Sequence, residues 1–516
     1  MKYAIYRLAP VSQGLVARLK LSVWGVGIVL GCGFGCCVIA ADTDGSVAGV
    51  GGPDITTVEA VADFQVLKRA IEEMHGGLNR YNSEEQVDRL FAAGLAEANS
   101  VRSRREFIGL VSGLLASLGD GHLRLQYDEQ TEAILAEAHL FPFGVAIEDG
   151  SLRVVWNDSV GGSDVMPGDE IVSVNGRSAA GLIAFMQEKL PGDGAIQTRR
   201  RLMLGRDFAE LYWMFVDTTD RFEVTARNRN GVSFDVVVRG VTRMDRPENR
   251  AANSVNSTMR MGTGRMAGSD EDISVSFLAE DQIAYLQVRA FQGTGFPSRL
   301  ADAIQSVHDR DSPALILDLR GNSGGADEYG ALLVSQFMDR SFRYFDRIEL
   351  RTIAPSFADW PPERYTALRD YTELHDDGWY RLTSEAHDGI VAQDPADRPY
   401  LKPLFVLIDG WVFSTAADVA AQLRHQQRAV FIGEESGGGF AGNTSGLVVP
   451  LQLPNSGIRV RIPLLNYWNA VEFGQDDRGV LPDFPVGSSV RDRMAGKDRP
   501  LDRAIELAQA AIRDAP

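Results

Sequence analysis

Two serines in this chain sit where a hydroxyl could become a nucleophile. Ser323 lies in "LILDLRGNSGGADEYG" (315–330), where Gly321-Asn322-Ser323-Gly324-Gly325 fits the Gly-x-Ser-x-Gly pattern. That pattern mounts a serine on a sharp strand-to-helix turn. Ser414 lies in "LFVLIDGWVFSTAADVAAQLRHQ" (404–426), between an apolar run and an alanine-rich segment that is a good helix former. A helix N-terminus carries partial positive charge and free amides, which stabilise an alkoxide and the oxyanion of a tetrahedral intermediate. The same electrostatics favour serine as an N-cap, so read locally Ser414 is either a cap or a nucleophile. An α/β-hydrolase elbow at Ser323 needs an acid and then a histidine further along the chain. The last histidine, His425, falls inside the helix expected after Ser414, which leaves that esterase reading without a natural base.

The elements that must position these serines differ along the chain. Phe64, Leu67, Ile71 and Met74, and again Phe107, Val111, Leu114 and Leu118, recur at helical spacing, so a small N-terminal helical domain is expected over 55–126. Ser83 with Gln86 and Ser103 with Glu106 read as capping boxes at helix starts. From about 141 to 243 the pattern is one of short alternating strands and tight turns, as in "FGVAIEDGSLRVVWNDS" and "MPGDEIVSVNGRSAAGLIAFMQ", the latter ending in a short helix after Asn175-Gly176. The stretch 244–272 is polar and poor in large apolar groups, and reads as a linker or loop. Beyond it, "IAYLQV", "ALILDL", "LFVLI" and "AVFIG" are continuous apolar strands with helical segments between them. Such strands belong to a sheet covered on both faces, hence an α/β domain over 273–516.

The 516 residues are too many for one ordinary core, so two to four domains are expected. Hydrophobic residues make up 44% and charged residues 24%, the proportions of a folded globular protein. Acids outnumber Lys and Arg by 70 to 52, and a net charge of −18 repels phosphate backbones, so nucleic acid is not an expected partner. The sequence has no His-Glu-x-x-His, no Cys/His ligand spacing and no phosphate loop, so neither metal nor cofactor is expected.

Lys2, Arg7, Arg18 and Lys20 precede an uncharged apolar run, 21–41, that ends in small residues. This reads as an export signal over 1–41 cleaved near Ala41, which directs the protein to a periplasm or the outside of the cell. Val29-Leu30-Gly31-Cys32 would alternatively make a lipidated Cys32, and the run is also long enough to stay as a membrane tether. All three cysteines, Cys32, Cys36 and Cys37, lie in this segment, so a cleaved chain would hold no disulfide.

Two resemblances extend this reading. "PGDEIVSVNG" and the strands around it resemble a PDZ domain, a module that adds a peptide strand to a sheet edge and holds its terminal carboxylate on backbone amides. Taken in order, "LGDGHLRL" (118–125), the PDZ-like block, "LILDLRGNSGG", "VFSTAADVAAQL" and "AVFIGEESGGG" (429–439) resemble the C-terminal processing (tail-specific) and tricorn-core family of serine peptidases. The resemblance implies a multidomain α+β protein: an N-terminal helical domain, a PDZ-like β-rich domain and a C-terminal α/β catalytic domain of crotonase-like or ClpP-like type. It implies that Ser414 is the nucleophile. Gly439 stands where the family's processing branch has a lysine base, so the Ser-Lys dyad is missing and the chain is closer to the Ser-His branch, with His122 of "DGH" as base. A neutral imidazole can take the serine proton and return it to the leaving amine. The family's orienting acid precedes a Gly-Val-x-Pro-Asp segment, here 479–483, which nominates Asp476, with Glu472 as the other candidate. By the same resemblance the Ser323 turn becomes a wall of the site, and an amide from Gly324 or Gly325 joins that of Thr415 as the oxyanion hole. The expected function is an exported serine endopeptidase that cleaves polypeptides through an acyl-enzyme. A peptide- or hydrophobic-ligand-binding protein on the same fold is the alternative.

Overall fold

The structure is a computed structural model that describes residues 55–259, 272–279, 282–472 and 477–514. The signal-like segment 1–41, with Cys32, and Asp476 lie outside the described residues. Among the described residues no helix is long and apolar enough to cross a membrane.

The N-terminal part is built from helices Thr57–Met74, Glu84–Ala98 and Arg104–Ser117, and all eight apolar residues expected at helical spacing are buried. Ser83 and Gln86 form a reciprocal capping box. At the third helix Ser103 caps the Glu106 amide, but the Glu106 carboxylate turns to the Arg102 amide one residue earlier, at 2.7 Å.

Strands Phe143–Glu148 and Ser151–Asn157 form a hairpin whose turn, Asp149-Gly150, has both φ values positive. Asn175 and Gly176 turn in the same way between strands Glu170–Val174 and Arg177–Ser178. Such two-residue turns match the twist of the strands they join. The sheet runs in the order Phe143–Glu148, Ser151–Asn157, Glu170–Val174, Arg221–Arg227, Ser233–Arg239. Besides its strands and the short helix expected after Asn175-Gly176, which is Ala179–Gln187, this stretch contains an 18-residue helix, Thr198–Phe215. Its Leu204, Phe208, Leu211 and Tyr212 are buried at helical spacing against the sheet, while its arginine-rich first turn conceals that period in the sequence. Part of the expected linker is also structured. Helix Arg246–Ala252 is pinned by Arg246 and Arg250, which both reach the buried carboxylate of Asp158. Its anchoring is ionic, so it shows no apolar period.

The C-terminal part carries a six-stranded sheet in the order Phe484–Pro485, Val430–Gly433, Leu404–Ile408, Ala314–Asp318, Ile283–Val288, Ile273–Leu278, parallel except for the last pair. Ile283, Tyr285, Ile316, Leu407 and Ile432 pack on helix Arg499–Asp514, whereas Leu286, Leu315, Leu317, Val406 and Ile408 belong to the main core on the opposite face. Burial on both faces is why these strands are apolar throughout rather than alternating. Three small antiparallel sheets among the described residues, of two, three and five strands, escape the sequence reading because their strands are only two to six residues long. In one of them Arg124–Gln126, directly after the Asp-Gly-His motif, pairs with Arg459–Ile462, whose other neighbour is Val449–Gln452. That pairing carries a loop from the helical N-terminal part into the C-terminal part, over more than 300 residues of sequence.

Candidate active site

Ser414 lies between strand Leu404–Ile408 and helix Thr415–His425 with φ 54° and ψ −134°. Few residues other than glycine tolerate this region, at a cost of about 1–3 kcal/mol. Its half-buried side chain caps no helix amide, so the cap reading falls. Ser323, in contrast, is an exposed turn residue with no left-handed backbone.

The Ser323 turn is fastened to the Ser414 loop at several points. Asp409 accepts the amides of Gly321 (3.1 Å) and Trp411 (2.9 Å), the Asn322 carbonyl accepts the Phe413 amide (3.2 Å), and the Thr415 hydroxyl donates to the Gly325 carbonyl (2.8 Å). Gly324 has φ 103°, and a Cβ there would lie 2.7 Å from the Ser414 Cβ. The amide of Gly324 donates to the side chain of buried Asn322 at 2.8 Å and is therefore committed. The amides of Thr415 and Gly325 have no acceptor among the described residues. Of the three residues expected at an oxyanion hole, these two keep a free donor, at a helix N-terminus where negative charge is favoured.

His122 reaches the same place from the N-terminal part. Its ring stacks on Phe413, the neighbour of Ser414, with centroids 4.5 Å apart and planes 26° apart. Asp120 shapes its loop: one carboxylate oxygen accepts the amides of His122 (2.7 Å) and Leu123 (3.3 Å), and the other meets His75 Nε2 at 2.6 Å and the Thr444 hydroxyl. Burial alone would raise the Asp120 carboxyl, but its hydrogen bonds with His75 and Thr444 help hold it below its ordinary range. Asp193 is the second anchor, accepting the Gly121 amide at 2.8 Å and the Gly439 amide at 3.1 Å. Burial, with the nearby Asp120 charge, pushes the Asp193 carboxyl up to about 6. Asp120, His122 and Asp193 each bring a ligand atom to within 4.8 Å of the others, but both carboxylates are occupied in holding loop amides.

Burial pushes the His122 imidazole down to about 3, and the positive charges of Arg124, Arg199 and Arg461 add to the effect against the pull of Asp120. The ring is neutral at pH 7, as a proton acceptor must be. Its Nδ1 is buried and has no hydrogen-bond partner among the described residues. Glu472 does not supply one. It is exposed, and its amide meets His425 Nδ1 at the C-terminal end of the helix that Ser414 begins, about 15 Å away by helix rise. Asp477, the residue after Asp476, is held beside the His122 loop, where its carbonyl accepts the Ala195 amide at 2.9 Å.

Gly439, where the resembled processing branch has lysine, has no room for a side chain: a Cβ would lie 2.8 Å from the Tyr81 hydroxyl and 3.0 Å from the Gly442 carbonyl. Asp193, Asn322, Asp120 and His75 are the supporting residues that sequence reasoning missed. Asn322 and Asp120, each beside a glycine in a turn, carry a local signal because each holds an amide two residues on, whereas Asp193 and His75 act on partners remote in sequence.

Helix Thr415–His425 also holds a buried acid, Asp418, whose two carboxylate oxygens accept from the Asn443 side-chain amide at 3.2 and 3.0 Å. Burial pushes its carboxyl up to about 7, beyond what its hydrogen bonds offset. A raised carboxyl favours the folded state at low pH, and that contribution is lost as pH climbs from about 4, the unfolded value, to about 7. The stability of Asp418→Asn relative to the parent is therefore expected to improve over this window and level off above it. Parallel unfolding midpoints from pH 4 to 8 would refute this assignment.

A family model described as Peptidase family S41 matches residues 282–486. No curated protein matches the chain. Among solved structures, mature CPAF aligns at 17% identity and TM-score 0.61, covering 89% of this chain and 99% of its own. Mature CPAF complexed with lactacystin aligns at 16% identity and TM-score 0.62 with the same coverage. At these identities the likeness is one of fold.

Proposed function

Because this chain belongs to peptidase family S41 and is a serine peptidase, a class that acts on polypeptides, we propose that Ser414 is its nucleophile and His122 its general base. The observation that carries this reading is the strained elbow at Ser414, with the His122 ring stacked on the next residue. Ser414 Oγ attacks the scissile carbonyl while His122 takes its proton. The oxyanion is received by the Thr415 and Gly325 amides. His122 then protonates the leaving amine, and water releases the acyl group by the same route. The unpartnered Nδ1 of His122 is where an orienting carboxylate belongs. Asp476 is that acid, since the next residue is anchored beside the His122 loop whereas Glu472 sits at the far end of the helix. A carboxylate on Nδ1 would raise the imidazole toward the range where a base works best.

The PDZ-like region over 141–243 presents polypeptide to this site. Its helix Thr198–Phe215 begins against the Ser414 loop, where a Cβ on Gly410 would lie 2.6 Å from the Thr198 carbonyl carbon. Export through segment 1–41 completes the proposal, and N-terminal sequencing of the protein recovered outside the cytoplasm would read the cleavage site.

The test is labelling with a fluorophosphonate and location of the adduct by peptide mass spectrometry. Ser414 is expected to be modified, and His122→Ala to lose the label. Modification of Ser323 instead would overturn the assignment. Lactacystin, found with CPAF in one of the related structures, serves as a second probe of the same serine.

A further inference from the structure

The strand that brings His122 to the catalytic part places like charges together. Arg124 pairs directly with Arg461 across the antiparallel ladder, and Arg459, two residues along, shares the face of Arg461. Side chains opposite one another on such a ladder are about 5 Å apart at Cβ, and like charges there are destabilising. The other face of these strands is apolar, with Val460 fully buried, so alternation fixes the arginines on one side. Arg199 approaches from helix Thr198–Phe215. Its guanidinium lies 3.7 Å from the centroid of Phe413, the ring that also stacks on His122. Arg199 is 8% exposed, and its Nη1 has no hydrogen-bond partner among the described residues.

None of Arg124, Arg199, Arg459 or Arg461 forms an ion pair among the described residues, in a chain of net charge −18. A solvated basic face would ordinarily recruit acids from so acidic a chain, and a buried guanidinium nitrogen ordinarily finds an acceptor. The three that bear on His122, namely Arg124, Arg199 and Arg461, also depress its basicity, a cost to a general base. That cost falls away when an anion arrives.

We infer that Arg124, Arg461 and Arg199 form a subsite for a carboxylate side chain of the substrate, so that the peptidase selects polypeptides with Asp or Glu close to the scissile bond. This rests on the assignment of Ser414 and His122 above. Arginine presents a planar fork that binds carboxylates in bidentate fashion, and a substrate carboxylate would neutralise the Arg124–Arg461 repulsion on binding.

The experiment compares kcat/KM for peptides identical except for Glu or Gln at each position flanking the scissile bond. At one position Glu is expected to be favoured about tenfold or more, the range of a charge-assisted hydrogen bond. The ratio is expected to shrink in high salt and to disappear in Arg124→Gln/Arg461→Gln. Arg124→Gln alone is expected to raise the unfolding midpoint, because it relieves the paired charges. A ratio of one at every position overturns the subsite, as does a preference that survives the double variant. Loss of the preference when the peptide C-terminus is amidated also overturns it, in favour of terminal carboxylate recognition. Fluorophosphonate labelling of the same samples separates this inference from the catalytic one. Labelled Ser414 without discrimination removes only the subsite. If Ser414 takes no label the catalytic assignment fails, and anisotropy of Glu and Gln peptides on Ser414→Ala then decides the subsite by binding.

Discussion

Ser414→Gly is expected to abolish peptide hydrolysis and to stabilise the protein. Loss of the hydroxyl removes the attacking group, and removal of a catalytic nucleophile typically costs about 10⁴-fold or more in kcat. The stability gain comes from the backbone. At φ 54° and ψ −134° a residue with a Cβ is strained, whereas glycine is not. After the larger entropy that glycine loses on folding, about 0.5–2 kcal/mol of stabilisation should remain. Ser414→Ala is the control, since it removes the hydroxyl but keeps the strain, and it should match the glycine variant in inactivity but not in unfolding midpoint. Equal midpoints for the two variants would show that the elbow stores no strain. Residual hydrolysis within tenfold of the parent would remove Ser414 from the mechanism.

Gly324→Ala should be nearly as damaging for a different reason. Its Cβ would lie 2.7 Å from the Ser414 Cβ, 2.9 Å from the Phe413 carbonyl oxygen and 3.1 Å from the Thr415 amide nitrogen, all on the elbow itself. Backbone cannot yield as a flexible side chain can, so the serine or the turn must move, and φ 103° is strained for alanine in any case. Displacement of a reacting group by about 1 Å costs about 10²-fold. We expect kcat/KM to fall at least that far and stability by about 2–5 kcal/mol. Gly321→Ala provides the comparison in the same turn. Its φ of 78° is also left-handed, but a Cβ there meets nothing within 4 Å, so it should lose stability and keep most of its activity. Similar kinetics for the two variants would mean that contact with Ser414 is irrelevant.

Much of this was legible in the sequence because the signals were local. Helical period, the turns at Asn175-Gly176 and Pro167-Gly168, the apolar runs of the main sheet, and the strand-to-helix junction at Ser414 all follow from neighbours along the chain. Local signals did not reveal helix Thr198–Phe215, whose apolar period is concealed by its charged start, nor helix Arg246–Ala252, which is held by ion pairs to Asp158.

The site itself was decided by tertiary structure. No periodicity tells that Arg124–Gln126 will pair with a strand more than 300 residues away, yet that pairing carries His122 to Phe413. Nor does a lone Asp193 in a Pro-Gly-Asp-Gly turn announce that its two oxygens will join Gly121 to Gly439. Which glycine keeps a free amide depends on Asn322, whose side chain captures that of Gly324 and leaves that of Gly325. Sequence determines which residue types are available and which local shape each can adopt. Catalysis, however, depends on distances between groups remote along the chain, and those distances exist only once the cores and the small sheets have packed.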